Sequence, residues 1–300
     1  MIRKTVFFFQ NVLRLTKFKV SATVTLTTVT GYVMFCDRID FRLMIILAGV
    51  FFLASAATAL NQIQDRKRDA LMSRTADRPL PARQMSVKAA FFVFLVTALS
   101  GLYMLGYAGG PVPFALGLFN LVWYNGVYTF LKRYSAFAVI PGSVVGAVPP
   151  LIGWTAAGGA VADIQILTVA AFLFIWQIPH FWLLMLRFSD DYKKGGFPVL
   201  QDRMSEQSIR ILISFMMIIT SASAVLLTVN QVLQAKLLIY ITLCVSGIIA
   251  SCGIYSMFSK KFSEKKLLLF ILLNTCMMLL MASVIADNAV YFMGSIIYIK

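Results

Sequence analysis

The chain alternates long apolar runs with short polar breaks, and the runs have a length that only one environment explains. Nine stretches, near 20 to 36, 43 to 60, 89 to 107, 111 to 131, 136 to 157, 164 to 186, 211 to 229, 237 to 258 and 267 to 286, contain no Lys, Arg, Asp or Glu. Each is close to what an α-helix needs to cross a hydrocarbon core of about 30 Å. The pattern predicts an all-α polytopic membrane protein of about nine transmembrane helices in a lipid bilayer, with the Gly/Pro-rich fifth span a candidate for a broken helix. No linker or low-complexity segment divides the chain, so residues 1–300 read as one transmembrane domain. The two longest polar stretches, 61 to 88 and 187 to 210, are where chemistry concentrates.

Composition agrees: 60% of residues are hydrophobic, 13% are charged, and mean hydropathy is +0.83, outside the range of soluble domains. The net charge of +15 would suggest a nucleic-acid partner in a soluble protein. Here 23 of the 27 Lys and Arg fall on alternate polar segments, leaving Arg38, Arg42, Lys236 and Lys300 opposite. The positive-inside rule therefore predicts a cytoplasmic N-terminus with both long polar stretches in the cytoplasm. The charge sets topology, and no nucleic-acid partner is needed. Cys36, Cys244, Cys252 and Cys276 lack CxxC spacing and read as packing residues.

Directly after the second apolar run comes Asn61-Gln-Ile-Gln-Asp65-Arg-Lys-Arg-Asp69. If the helix continues, Asn61, Asp65 and Asp69 form one oxygen-lined face, with Arg74 and Arg78 just beyond. Such oxygens suit a hard cation, and such arginines suit phosphate. Asn125, Tyr128 and Lys132 make a second stripe, since an amide inside an apolar helix commonly marks a cavity. A third set is Trp176-Gln-Ile-Pro-His180-Phe-Trp182, then Arg187, Asp190 and Asp191. Offsets of 7 and 11 place His180, Arg187 and Asp191 on one helical face. Trp176, Phe181 and Trp182 are candidates for the wall of an apolar cleft. Both long polar stretches carry acids immediately after a helix, which suggests two half-sites facing one cavity.

These blocks resemble the UbiA superfamily of intramembrane prenyltransferases, and within it the protohaem IX farnesyltransferases. The first block fits N-x-x-x-D-R-x-x-D-x-x-M-x-R-T-x-x-R-P-L. The second fits Trp-Gln-x-Pro-His followed by Asp-Tyr-x-x-Gly-Gly-x-Pro-x-Leu, and Tyr124 to Arg133 and Gly146 to Trp154 agree as well. The resemblance spans roughly residues 15 to 200. It implies a UbiA-like helical bundle around a central cavity, in a bacterial inner membrane. The implied reaction is Mg²⁺-dependent transfer of a farnesyl group from farnesyl diphosphate to a vinyl group of haem b, water adding, to give haem O. A downstream haem A synthase or terminal oxidase assembly would be the partner. It further implies that Asn61, Asp65, Asp69 and Asp191 hold the metal, with Asp65, Asp69 and Asp191 catalytic. Arg74, Arg78, Asn125, Tyr128, Lys132, His180, Arg187 and Asp190 would bind substrates. Departures from the superfamily are Gln62 where a second acid is usual, Arg187 four residues before Asp191 where D-x-x-x-D is common, and Phe18 in place of proline. The competing readings are a prenyltransferase acting on a quinone precursor and an anion transporter.

Overall fold

The structure is a computed structural model that describes residues 2–36, 39–259 and 261–298, with side chains for 6–36, 39–259 and 261–288. Arg38, Lys260 and Lys300, which enter the charge asymmetry above, lie outside the described residues. Eleven helices follow in order: α1 (Ile2–Leu15), α2 (Phe18–Phe35), α3 (Phe41–Asp69), α4 (Val87–Gly109), α5 (Pro111–Leu131), α6 (Ala136–Ala157), α7 (Ile164–Arg187), α8 (Ser189–Lys194), α9 (Glu206–Val229), α10 (Lys236–Phe258) and α11 (Phe262–Tyr298). Among the described residues, eight are long and apolar enough to cross a membrane. The ninth expected span is α2, whose 18 residues pack in the bundle although five threonines dilute their hydropathy.

Helix limits follow local chemistry. Asp40, Ser86, Asp163 and Ser205 cap α3, α4, α7 and α9 by accepting the backbone N–H groups of Leu43, Ala89, Gln165 and Ser208, which satisfies otherwise orphaned donors. Gly110 at φ 92°, followed by Pro111, turns α4 into α5. The fifth apolar run forms α6, which begins as a 3₁₀ turn and is interrupted once, at Ser143. Pro149 and Pro150 sit inside it.

Two close helix crossings shape the interior. Gly31 of α2 lies against the Pro150 carbonyl of α6, and Gly153 of α6 lies against the Thr28 carbonyl, so a Cβ at either glycine would collide with backbone. Gly49 and Gly101 bring α3 and α4 together similarly, the small-residue contact expected where lipid offers no hydrophobic drive between helices. Beyond the α2–α6 crossing, Tyr32, Leu43, Ile46, Leu105, Ile152 and Ala156 form a packed apolar core, each at most 2% exposed. On the near side, α2, α3, α5, α6, α7 and α11 surround a cavity of about 620 Å³. One end of the bundle is filled and the other is hollow.

Candidate active site

The α3 helix does continue past its apolar run, to Asp69. Asn61, Asp65 and Asp69 consequently line the hollow end of the cavity, 4%, 3% and 2% exposed. Buried carboxylates are costly unless paired, and here the partners are cations. Asp65 receives Lys132 Nζ at 2.5 Å and Arg133 Nη2 at 3.1 Å. Asp69 receives Arg78 Nη1 at 2.8 Å. The Asn61 amide nitrogen donates to Asp65 at 2.9 Å and to Thr129 at 3.1 Å, leaving its carbonyl oxygen as the group it could offer a cation. Arg74 also lines the cavity, its guanidinium 4.9 Å from the Phe188 ring and 5.9 Å from that of Tyr192. Lys132 and Arg133, which topology alone would explain, thus belong to the carboxylate cluster.

Three sequence expectations change. The Trp123–Tyr128 stretch of α5 is π-helical, and i→i+5 bonding widens the turn so that residues four apart, not three, share a face. Tyr124, Tyr128 and Lys132 accordingly line the cavity. Asn125 turns toward α3, donating to the Ala57 carbonyl at 3.0 Å and to Gln64 at 3.2 Å. It is a helix-to-helix tie.

The second correction concerns Arg187, Asp190 and Asp191. Helix α7 stops at Arg187 because Phe188 leaves helical geometry (φ −115°, ψ 29°), so His180 and Asp191 do not share one helical face. Arg187 and Asp190 are exposed, and Arg187 rests on the Phe188 ring. Asp191 is absent from the cavity wall. Its carboxylate accepts from Ser73 Oγ at 2.5 Å, from the Ser73 N–H at 3.2 Å and from the Arg74 N–H at 3.0 Å. The Ser73 hydroxyl, then the Arg74 amide, hold its carboxyl below the usual aspartate value. The second acidic block therefore meets the first by bracing the segment that carries Arg74, while the cavity wall receives its aromatic neighbours Tyr192 and Phe197. Arg68 ties the same loop down by donating to the Gly195 and Gly196 carbonyls at 3.2 and 2.6 Å.

Third, of the three aromatics near His180 only Trp176 and Phe181 reach the cavity. Trp182 is 1% exposed and donates to the Ala136 carbonyl at 3.3 Å, as a core residue does. His180 does face the cavity, its ring 4.8 Å from Trp176 and 4.9 Å from Phe270. Lys17, Asn120, Tyr124, Gln177 and Asn274 join the wall, although none was a candidate site residue from the sequence and only Tyr124 and Gln177 lay within its motifs. The clearest available signal was polarity: Asn120, Gln177 and Asn274 are amides within apolar runs.

Chemically, the hollow end offers oxygen ligands only. Among the described residues no cluster of three or more His, Cys, Asp or Glu exists, so the candidate donors are two carboxylates and an amide, a set suited to a hard cation sharing its ligands with substrate oxygens. Five cations, Lys17, Arg74, Arg78, Lys132 and Arg133, surround the carboxylates Asp65 and Asp69. That excess fits a multiply charged anion. Farther in, the wall becomes apolar and aromatic through Val50, Leu53, Ala54, Leu121, Ile152 and Leu173.

Comparison with known proteins agrees with this geometry. A curated protein named "Protoheme IX farnesyltransferase" from Geobacter sulfurreducens is 45% identical over 174 residues, 58% of this chain and 64% of that protein. The chain thus spans just under two thirds of that relative's length. A structure from work on a digeranylgeranylglyceryl phosphate synthase matches with a TM-score of 0.77 at 14% identity, covering 94% of this chain and 98% of that one. A UbiA homologue from Archaeoglobus fulgidus, solved bound to GPP and Mg²⁺, matches with a TM-score of 0.66 at 14% identity, covering 91% and 99%. The model of the UbiA prenyltransferase family matches residues 24–274. By fold and by sequence, the chain belongs to the UbiA prenyltransferase family.

Proposed function

We propose that this protein transfers a farnesyl group from farnesyl diphosphate to a vinyl group of haem b, with water adding, to yield haem O and diphosphate. The carrying observation is the surplus of cations around two buried carboxylates at one end of a cavity whose remainder is apolar and aromatic. Breaking an allylic C–O bond leaves a delocalised cation and a highly charged leaving group, so the barrier falls where that leaving charge is stabilised. Arg74, Arg78 and Lys132 would grip the diphosphate oxygens, and Asn61, Asp65 and Asp69 would hold Mg²⁺, which when bound neutralises the departing charge. Asp191 supports this reading at one remove, by fixing the backbone of Arg74. The apolar wall keeps water from the allylic cation until the vinyl carbon attacks. The porphyrin ring can then delocalise the new charge until water adds, so no strong protein base is required.

The name carried by the Geobacter sulfurreducens relative and the placement of His180 and Trp176 in the wall favour haem over a quinone precursor as acceptor. The charged end, with the basic segments 66 to 88 and 187 to 210, would face the cytoplasm of a bacterial inner membrane, and haem O would pass to an enzyme or oxidase assembly that oxidises or inserts it. Purified protein given haem b, Mg²⁺ and farnesyl diphosphate should produce pigment heavier by one hydroxyfarnesyl group. Hydroxybenzoate in place of haem b should give no prenylated product; if it alone is prenylated, the haem assignment fails. Asp65→Ala should lower turnover by about 100-fold or more, whereas an anion transporter would keep full uptake.

A further inference from the structure

Lys17 faces the cavity and has no ion-pair partner among the described residues. It joins α1 to α2 in the left-handed region, φ 45° and ψ 54°, where the Cβ of an L-residue crowds the following carbonyl. Such a conformation persists only when surroundings over-determine it. They do so on both sides. The Gln62 side chain, wholly buried, donates to the Arg14 carbonyl at 3.0 Å and the Leu15 carbonyl at 2.7 Å, holding the last turn of α1. Ser21 Oγ donates to the Thr16 carbonyl at 2.9 Å, and the Val20 and Ser21 amides return to the Lys17 carbonyl. Arg14 then fastens α1 to the segment bearing Arg74 and Arg78, through Asp77 at 2.8 Å and Gln84 at 3.1 Å.

We propose that Lys17 is a further diphosphate-binding residue, carried into the ring of Arg74, Arg78 and Lys132 by the strained bend between α1 and α2, and that Gln62 is the positioning residue holding that bend. This rests on reading the hollow end as a prenyl diphosphate site. The departure at Gln62 then has a physical meaning: an ionised acid there could not donate to the two α1 carbonyls, so the amide gives up a potential metal ligand and gains an anchor for a cation. Desolvation, followed by the nearby Arg78 and Lys132 charges, pulls the Lys17 ammonium down to about 7 against the raising influence of Asp69. A group so surrounded is short of negative charge, and a bound diphosphate supplies it.

The test uses the full chain in detergent, with inorganic diphosphate plus Mg²⁺ as the probe and its thermal midpoint as the readout. Wild type should be stabilised, as any ligand of the folded state stabilises. Lys17→Met should need about 10- to 100-fold more diphosphate for the same shift, the usual loss for a charge-assisted hydrogen bond, and Lys17→Arg should recover most of it. In turnover, Lys17→Met should raise KM for farnesyl diphosphate and leave KM for haem b unchanged. Gln62→Glu should shift the diphosphate response in the same direction, and this variant with Lys17→Arg carries the test if Lys17→Met does not fold. Equal diphosphate responses in wild type and all three variants overturn the proposal alone. No response in wild type overturns the diphosphate site itself, and the proposal with it.

Discussion

Asp65 and Asp191 are aspartates of the two acidic blocks, yet their surroundings give them different work. Asp65 is walled into the cavity by Asn61, Lys132 and Arg133, whereas Asp191 spends both oxygens on Ser73 and Arg74. Asp191→Asn should therefore raise KM for farnesyl diphosphate by loosening Arg74 and leave the Mg²⁺ concentration for half-maximal activity unchanged. A tenfold or larger rise in that concentration would make Asp191 a ligand after all. The linkage sign is definite as well. The folded-state carboxyl is depressed below 3.8, so its support for the Ser73–Arg74 turn is present above that value and fades only as pH falls through the folded one; between pH 6 and 8 that support is constant, and activity there should show no pH dependence arising from Asp191. Sequence spacing put Asn61, Asp65 and Asp69 on one face, and they share the cavity wall because one unbroken helix carries them. It did not foresee the faces that Asn125 and Asp191 occupy, because a π-helical turn and a helix end at Phe188 reset the rotation, and neither leaves a mark in residue periodicity. Lys17 was legible only as a topological charge, since its role depends on a bend fixed by Gln62, 45 residues later in the chain.

Among elements, α2 and α6 meet backbone to backbone. Their glycines allow backbone-to-backbone approach at Gly31–Pro150 and Gly153–Thr28, contacts that no side chain could share. Gly31→Val should force the two helices apart and lower the thermal midpoint by several degrees in detergent, an effect about as large as other overpacked cores show. Gly247 of α10 has open space around its Cβ position, so Gly247→Ala should leave the midpoint near wild type and serves as the control. The apolar runs revealed the existence and extent of these helices. Which faces meet was not legible, because in a nearly uniform apolar sequence the small residues that permit contact look like those that merely face lipid.

At the scale of the whole molecule, the face of α3 from Asp69 back to Val50 runs along the cavity wall, so the polar end and the apolar depth are two parts of one helix. Ala54 lies 11 residues before Asp65, about 16 Å away at 1.5 Å per residue. If the isoprenoid tail extends along α3, Ala54→Phe should block a three-unit tail and admit a two-unit one. The ratio of farnesyl to geranyl turnover should then drop at least tenfold, and an unchanged ratio would place the tail elsewhere, such as toward α7 and α11.

The close crossing at Gly31 and Gly153, with the packed side chains of Tyr32, Ile46 and Ile152, forms a filled floor among the described residues. If the charged end takes a diphosphate, as proposed, a filled floor of this kind would let the protein hold a charged ester among its arginines without offering ions a route across the bundle.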